Sequence, residues 1–509
     1  MNPLLLTDGY KTSHHKMYPE KTEMVYSNFT PRNVKYMPNE AKDIVVFGIQ
    51  YTVKYIKDVF DKDFFQKPKE VVIPEIKKYL SSYVGTDYDV SHFEKLHDLG
   101  YLPIQINALP EGSISKPGIP ILTYFNTEKD FYWVTNFLET LISTLIWKPM
   151  HSASVAYGFK KILTKYCLET DKKSIDFVNF QGHDFSMRGM QGVESALSSG
   201  MGFSSSFKGS DTLPILWGNK YYYNEDDSVF SVPASEHAVM TSYGKESEEE
   251  AFSRILDLYP SGIVSIVSDS YDFWKIHTET IHKLKEKILK REGKVVFRGD
   301  SGEPIEIICG LGHKYSSYSE YCEYMIAQDK TPSEAEYKGQ IELLWECFGG
   351  SINEQGYKVL DSHVGAIYGD GINFERIEKI CNILKSKGFA SINVVFGIGS
   401  FSMGYATRDQ QGSAVKATAC IVDGEFREIF KDPITDSGKK SAKGLLAVFK
   451  NSDDDFYLKD QASFEEIENC ELKTIFKNGV VVKETSLSKI RSRINKNLEK
   501  ELAKDLVAA

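Results

Sequence analysis

The hydrophobic positions in the middle of the chain form short continuous runs, and each run ends at a glycine or a polar residue. These runs are "IDFVNF" before Gln181, "PILWG" from Pro214, "FSVP" from Phe230, "GIVSIVSD" from Gly262, "KVVFRGD" from Lys294, "HVGAIYGD" from His363 and "INVVFGIGS" from Ile392. Continuous apolar character is typical of strands that are buried on both faces, as in parallel sheets. The pattern therefore predicts about seven parallel strands.

Amphipathic helices are predicted in several of the gaps between these runs. "EEEAFSRILDLY" places Phe252, Ile255 and Leu256 on one face behind an acidic first turn, and "FERIEKICNILKSKG" repeats apolar residues at helical spacing before Gly388. Alternating strands and helices imply right-handed parallel crossovers. Because about seven such units suit closure better than an open sheet, we predict an α/β fold with an irregular (βα) barrel.

Composition and charge restrict the function classes only loosely. The 509 residues are 41% hydrophobic and 26% charged, with a net charge of −10, which argues against a nucleic acid or a membrane surface as partner. The seven cysteines form no CxxC pair, which disfavours a disulfide scaffold or a zinc site and favours a reducing compartment. With no signal-like or membrane-spanning apolar run, we expect a cytoplasmic protein.

Three predicted strands end in an aspartate: "VSDSYD" gives Asp269, "FRGDSGEP" gives Asp300 and "YGDGIN" gives Asp370. In a barrel, the carboxyl ends of the strands carry the functional residues. Converging carboxylates there can bind ribose hydroxyls or a hard cation such as Mg²⁺. The alternative is that each aspartate caps the helix that follows.

A glycine-rich loop and several cations suggest a ligand with several phosphates. "FGIGSFSMG" follows the last predicted strand, where backbone N–H groups can bind phosphate, although a tight turn explains the same glycines. Arginine matches phosphate oxygens in a fork geometry. The cations near the strand ends are Arg188, Arg298, Arg408, Lys416, Lys431 and Lys439.

An ordered set of motifs resembles the nicotinamide phosphoribosyltransferase family. The motifs are "TDGYKTSHHKMYP", "YSNFTPR", "HDFSMRG", "FKGSDT", "SVPASEH", "VSDSYD", "FRGDSG", "YGDGIN", "TRD" and "FKDP". The resemblance covers nearly the whole chain and implies transfer of phosphoribose from phosphoribosyl pyrophosphate to nicotinamide, in NAD salvage. It also implies a homodimer with shared active sites. The domains expected from it are an N-terminal α+β part (1–170), the catalytic barrel (171–400) and a C-terminal part (401–509) that completes a β-rich domain.

The resemblance implies roles for residues around the nicotinamide ring. Phe185 should stack on the ring, and Tyr10, contributed by the other subunit, should cover its second face. Asp211 should accept a hydrogen bond from the carboxamide NH₂. Arg188 and Arg298 should line the pocket of the ring and the phosphoribosyl group.

Other implied roles concern the phosphates. Asp300 and Asp370, with the neighbouring Gly299 and Gly369, should face the ribose and the Mg²⁺-bound diphosphate, with the two aspartates as candidate protein ligands of the metal. The loop Gly399–Ser400 should hold the 5′-phosphate. The residues expected to bind pyrophosphate are Arg32, Arg408, Lys416, Lys431 and Lys439.

His237 resembles the histidine that this family phosphorylates from ATP, and Asp269 should orient it. ATP is therefore expected as a coupled co-substrate beside Mg²⁺. Three positions depart from the family pattern: Ser400 replaces a usual glycine, Ala414 a common serine and Gly299 a usual proline.

Three other functions remain as alternatives. Nicotinate phosphoribosyltransferase activity is disfavoured by Asp211, whose carboxylate would repel the carboxylate of nicotinate. A barrel metallohydrolase would use His183, His237 and the strand-end aspartates as ligands, but no HxH pair follows the first strand. A non-catalytic binding or signalling protein on the same fold is the third alternative.

Overall fold

The computed structural model describes residues 1–430 and 442–508, with side chains described to residue 503. The chain forms two compact units. The first comprises Met1–Ser154, Trp217–Asp226 and Ala406–Ala509, and the second comprises Val155–Leu216 and Asp227–Tyr405. No helix in the described ranges is long and apolar enough to cross a membrane.

The regular elements are numbered in chain order. The strands are β1 (Thr22–Pro31), β2 (Ile44–Val45), β3 (Ile104–Ala108), β4 (Ile114–Ser115), β5 (Leu122–Asn126), β6 (Gly182–Asp184), β7 (Gly209–Ser210), β8 (Val264–Val267), β9 (Val295–Gly299), β10 (Gly350–Ile352), β11 (Lys358–Leu360), β12 (Val364–Tyr368), β13 (Val394–Ile398), β14 (Ser413–Val422), β15 (Glu425–Glu428), β16 (Ala447–Lys450), β17 (Phe456–Lys459), β18 (Lys473–Lys477) and β19 (Val480–Val481). The helices are α1 (Ile49–Phe60), α2 (Lys69–Val84), α3 (Ser91–Leu99), α4 (Tyr132–Phe137), α5 (Glu139–Thr170), α6 (Val178–Gln181), α7 (Val193–Ser204), α8 (Pro214–Tyr223), α9 (His237–Thr241), α10 (Glu248–Leu258), α11 (Phe273–Lys275), α12 (Ile281–Lys283), α13 (Lys285–Leu289), α14 (Pro304–Cys309), α15 (Tyr318–Ala327), α16 (Glu334–Lys338), α17 (Gln340–Phe348), α18 (Phe374–Ser386), α19 (Ser400–Met403), α20 (Phe464–Asn469) and α21 (Leu487–Ala508).

The second unit is built on a parallel barrel. Six strands pair in the order β7-β6-β13-β12-β9-β8. The segment 230–234 joins the two edges, because Phe230 bridges Gly209 of β7 and Ala234 bridges Ser265 of β8, both in parallel. Backbone hydrogen bonds hold this seventh segment on both sides: Ser210 N donates to Phe230 O at 3.1 Å, and Ser265 N donates to Pro233 O at 2.9 Å. The prediction of an α/β fold with an irregular barrel of about seven strands is confirmed.

The strands β8, β9, β12 and β13 form where the continuous apolar runs predict them, and α10 and α18 cover the sheet with their apolar faces. Phe252, Ile255 and Leu256 of α10 are buried, as are Ile377 and Ile380 of α18. Burying such faces is what stabilises helices of this length.

Two of the strand predictions are wrong. "IDFVNF" is helical, spanning a 3₁₀ turn (Lys172–Phe177) and then α6, and the strand begins only at Gly182. "PILWG" opens α8, where Pro214 occupies the first turn. Proline is well suited to that position because its fixed φ matches the helix and its missing N–H is not needed there. A short apolar run has no period of its own, so it does not distinguish a buried strand from a buried helix.

The first unit contains a seven-stranded antiparallel sheet in the order β15-β14-β1-β5-β3-β18-β19. Its strands come from both ends of the chain. The longest pairing joins β1 to β14, from Thr22 opposite Val422 to Pro31 opposite Ser413. A large apolar core lies in this unit and includes Phe29, Phe60, Phe93 and Tyr124.

Candidate active site

Phe185 follows β6 at the carboxyl end of the barrel and packs on glycine. Its backbone N–H donates to Ile398 O at 3.0 Å, which continues the pairing of β6 with β13. A Cβ added at Gly397 would lie 2.5 Å from Phe185 Cε2, and one added at Gly369 would lie 3.4 Å from the same atom. The ring therefore lies directly against the backbone of two neighbouring strands. We call Phe185, Gly369 and Gly397 the aromatic platform. The sequence indicates Gly397 only as part of the glycine-rich strand end "FGIGS", and not as the support of Phe185.

Asp211 lies just after β7 and is held by two side chains. His183 Nε2 is 3.1 Å from Asp211 Oδ1, and the Ser231 hydroxyl donates to the same oxygen. Burial raises the pKa of Asp211, but the hydrogen bonds from His183 and Ser231 and the charge of Arg298 outweigh it and leave the pKa below its ordinary value. The group is therefore ionised and acts only as an acceptor. Ser231 was missed at the sequence level because only the barrel closure brings it to Asp211.

His237 and Asp269 form a hydrogen-bonded pair. Nε2 of His237, the first residue of α9, lies 3.0 Å from Asp269 Oδ1. The other carboxylate oxygen of Asp269 accepts from the backbone N–H of Asp300 at 2.9 Å and from the Ser301 hydroxyl. The Asp269 side chain is only 4% exposed, so it links the histidine to the end of β9 out of contact with water.

Asp300 lies among charged groups at the end of β9. Arg298 Nη2 is 3.7 Å from Asp300 Oδ2. Burial raises the pKa of Asp300, the charge of Arg298 opposes this, and the charges of Asp269 and Asp370 add to the increase. The repulsion between these carboxylates favours a cation as their partner, such as a metal ion bound to a phosphate. Within residues 1–430 and 442–508 there is no cluster of three or more His, Cys, Asp or Glu side chains that could hold a metal by themselves.

The three strand-end aspartates do not cap helices. Asp272 is the N-cap of α11 and accepts from Lys275 N, and Asn373 is the N-cap of α18 and accepts from Arg376 N. Glu303 occupies the N-cap position of α14. Because other residues take the cap positions, Asp300 and Asp370 remain available to a ligand, whereas both oxygens of Asp269 are engaged by hydrogen bonds.

The Gly399–Ser400 loop leads straight into α19, with Gly399 at its N-cap position. Ser400 packs against Gly189, and a side chain at position 189 would overlap the Ser400 hydroxyl. Arg188, the neighbour of Gly189, is exposed. Gly299 is also closely packed, since a Cβ there would lie 3.1 Å from the Tyr368 ring.

The remaining predicted residues belong to the first unit. Tyr10 lies on a 3₁₀ segment (Gly9–Lys16) and is 61% exposed. Arg32 directly follows β1, and its Nε donates to Gly412 O at 2.9 Å. Lys416 is exposed on the paired β14, Arg408 is exposed, and Ala414 is buried. Lys431 and Lys439 lie outside the described residues.

The chain matches known sequence families over most of its length. Residues 180–479 match the Nicotinate phosphoribosyltransferase (NAPRTase) family, and residues 2–106 match the nicotinamide phosphoribosyltransferase N-terminal domain. It is 45% identical to a nicotinamide phosphoribosyltransferase of Acinetobacter baylyi over 98% of both chains. It is 33% identical to the Mycoplasma pneumoniae protein of that name, over 87% of this chain and 94% of the relative.

Solved structures share the fold at low sequence identity. Human nicotinic acid phosphoribosyltransferase aligns with a TM-score of 0.61 at 15% identity, covering 96% of this chain and 93% of its own. Nicotinate-nucleotide pyrophosphorylase from Pyrococcus furiosus aligns with a TM-score of 0.55, also at 15% identity, covering 98% and 96%. These two show the fold alone, whereas the sequence relatives show the family. The chain belongs to the nicotinamide phosphoribosyltransferase family.

Proposed function

We propose that this chain transfers the 5-phosphoribosyl group of phosphoribosyl pyrophosphate to nicotinamide, giving nicotinamide mononucleotide and pyrophosphate. The ring nitrogen of nicotinamide supplies its lone pair to the anomeric carbon as the bond from that carbon to the pyrophosphate oxygen breaks. No proton needs to be removed, so positioning and electrostatic stabilisation carry the reaction. The presence of Asp, Arg and Gly at the strand ends fits this chemistry.

The ionised Asp211 beside the aromatic platform is the observation that carries the proposal. His183 and Ser231 both bind Oδ1, so Oδ2 is the oxygen best placed to accept from a carboxamide NH₂. The carboxylate of nicotinate would meet a like charge at this position, which costs affinity. Phe185 supplies a flat face for the pyridine ring, and a stacked aromatic pair contributes about 0.5–1.5 kcal/mol beyond its buried area.

Substrate preference tests this assignment. Asp211→Asn should lower kcat/KM for nicotinamide and raise the relative use of nicotinate, because the repulsive charge is removed. Asp257→Asn is a suitable control, since Asp257 lies on the same unit with its side chain 69% exposed. An unchanged nicotinamide-to-nicotinate ratio in Asp211→Asn would contradict the role of Asp211. Absence of mononucleotide from the unmodified chain with nicotinamide, phosphoribosyl pyrophosphate and Mg²⁺ would instead favour a non-catalytic protein.

Mg²⁺ fits the carboxylates at the ends of β9 and β12. Asp300 and Asp370 are close enough for each charge to matter, and Mg²⁺ typically takes one or two carboxylates together with substrate phosphates. When bound, the ion neutralises charge on the leaving diphosphate. Arg298 lies beside Asp300 and offers a further cation, and Gly399 and Ser400 are proposed to hold the 5′-phosphate. Arg32, Arg408, Lys416, Lys431 and Lys439 are proposed to bind the pyrophosphate.

We further propose that ATP phosphorylates His237 to drive the synthesis. If Nε2 donates its proton to Asp269, the lone pair of Nδ1 is the nucleophile, and it takes the terminal phosphoryl group of ATP with ADP as the leaving group. Asp269 also binds the backbone of Asp300, so a change of charge at His237 can reach the substrate end of β9.

The ATP proposal has a direct test. His237→Ala should abolish ATP hydrolysis while part of the ATP-independent synthesis survives. His282→Ala, an exposed histidine of the same unit, should leave ATP hydrolysis intact. ATP turnover at the full rate in His237→Ala would exclude the phosphohistidine.

A homodimer with shared sites is proposed from the family resemblance. In this arrangement the partner subunit's Tyr10 covers the face of the nicotinamide ring opposite Phe185. The high exposure of Tyr10 within its own unit supports a partner for it.

A further inference from the structure

The barrel interior is hollow. A cavity of about 510 Å³ lies inside it, a size that accommodates drug-sized ligands. Its lining begins with Phe185 and Arg298 at the carboxyl end of the strands and reaches Val359 and Ile392 at the amino end. Parallel barrels are normally filled by layers of bulky side chains. Here the interior stays open because several lining residues are small: Gly209, Ala234, Ser265, Gly365 and Ala366.

Two cations on β9 and its approach face this cavity from opposite ends. Lys294, Val296 and Arg298 line the cavity, whereas the alternate residues Val295 and Phe297 are packed in the surrounding core. Successive side chains of a strand point to opposite faces, and the four steps from Lys294 to Arg298 span about 13 Å. Arg298 belongs to the substrate end described above. Lys294 lies at the amino end, where the proposed reaction gives it no role.

Lys294 is partly buried, and its ammonium group lacks a direct partner among the described residues. No residue in the described part of the chain forms a hydrogen bond or an ion pair with its Nζ. Burial lowers the pKa of Lys294, and only the charge of Asp361 opposes this. Asp361 is itself engaged, because its Oδ1 accepts from the backbone N–H of His363 at 2.9 Å and lies 2.6 Å from the Nδ1 of that residue. Buried charges are normally paired, so we expect an anion to bind beside the Lys294 ammonium group.

The surroundings of Lys294 are apolar and leave room beside its ammonium group. Its aliphatic chain lies along β12, since a Cβ added at Gly365 would be 3.3 Å from Lys294 Cδ. Val296, Val364 and Ile392 line the cavity nearby. An occupant therefore needs an apolar body and one anionic group.

We infer that the Lys294 end of the barrel cavity is a binding site for a carboxylate carried on a flat apolar ring. Lys294 binds the carboxylate, and the ring lies among the aliphatic side chains of the barrel interior. The ionised Asp211 at the opposite end repels the same carboxylate, so the molecule is held in one orientation. The group that binds the carboxylate, Lys294, has no role in the reaction proposed above, so its contribution can be tested separately from that reaction.

Benzoate is a suitable probe because its ring has no nitrogen that could accept phosphoribose. Its Kd is measured by calorimetry on the full chain, with melting temperatures as a check on folding. Lys294→Met should weaken benzoate binding about tenfold or more, the effect of losing one charged hydrogen bond. Lys294→Arg should stay within a few-fold of the unmodified chain. Lys290→Met is the matched control, since Lys290 is 78% exposed and pairs with Glu286, and this variant should bind benzoate with an unchanged Kd.

Two further measurements decide the identity and the place of the ligand. Nicotinate should displace benzoate, and neutral benzamide should bind with an affinity that Lys294→Met does not alter. A crystal structure of the unmodified chain with benzoate should place the carboxylate at Lys294, which keeps the inference testable even if Lys294→Met fails to fold. Equal Kd values for the unmodified chain and Lys294→Met, no benzoate binding at millimolar concentration, or a carboxylate placed at Arg298 would each overturn it.

Discussion

Gly397→Ala should damage catalysis by moving the aromatic platform. The added Cβ would lie 2.5 Å from Phe185 Cε2 and 3.0 Å from the Cα of Gly369. Carbon atoms pack at about 3.5–4.0 Å, so the Phe185 ring must shift by about 1 Å or more. Because Gly369 is backbone of the neighbouring strand, the shift cannot be taken up on that side and the ring moves toward the cavity.

The expected loss follows from this displacement. A misplacement of about 1 Å can cost about 100-fold in rate, and overpacking a core typically costs about 1–3 kcal/mol of stability. We therefore expect kcat/KM for nicotinamide to fall about 10- to 100-fold, with a melting temperature lower by several degrees. Steady-state kinetics with varied nicotinamide and calorimetry on the same preparations measure both effects.

Gly365→Ala provides the matched control. It adds a Cβ to another glycine inside the barrel, but there the closest atom is Cδ of the flexible Lys294 at 3.3 Å. Its kcat/KM for nicotinamide should stay within a few-fold of the unmodified chain. Full activity in Gly397→Ala, or an equal loss in both variants, would refute the platform argument.

Two other predictions concern assembly and acid stability. If the partner subunit's Tyr10 completes each site, mixing inactive Tyr10→Ala and Asp370→Ala chains should restore activity, since each mixed dimer then holds one intact site; no recovery after subunit exchange would contradict shared sites. Burial lowers the pKa of His277 to about 4, and its ring nitrogens contact Phe273 O at 2.9 Å and Gln340 Nε2 at 3.2 Å, so the fold holds the neutral form. The stability from this residue is complete above about pH 6.5 and declines by about 3 kcal/mol as the pH falls toward 4. Urea unfolding at pH 7 and pH 4.5 should show a smaller acid loss in His277→Gln, and equal losses would contradict it.

The sequence predicts those parts of the fold whose local pattern and tertiary setting agree. β8, β9, β12 and β13 are mostly apolar and mostly buried. "IDFVNF" and "PILWG" are also mostly apolar but form helices, since a run of five or six residues carries too little periodicity to separate a strand from a helix. The segment 230–234 differs from both groups, because it takes the place of a seventh barrel strand although only two isolated bridges pair it with its neighbours.

The candidate site was predictable where a residue type has one obvious use at a strand end. Asp269, Asp300 and Asp370 could be selected in this way, although choosing between a cap and a ligand role needed the actual N-caps, Asp272 and Asn373. The contact of Gly397 with Phe185 and that of Ser231 with Asp211 could not be predicted. Those contacts depend on which strands are neighbours and which residues face inward, and the sequence of a single segment predicts neither.

The open barrel explains why glycine is functional at positions that local structure does not require. Gly365, Gly369 and Gly397 lie in or directly after β12 and β13, and none of them needs a left-handed backbone. In a strand interior, glycine costs conformational entropy and offers no side chain to pack, so its presence indicates a close approach of another group. At Gly397 that group is Phe185, at Gly369 it is first the Asp300 carboxylate and then Phe185, and at Gly365 it is the Lys294 chain. The small residues that make room for the Phe185 ring at one end of the barrel thus also leave a continuous cavity that reaches Lys294 at the other end. A side chain added at Gly369 or Gly397 should therefore first affect a ligand at the Phe185 end, and one added at Gly365 should first affect a ligand at the Lys294 end.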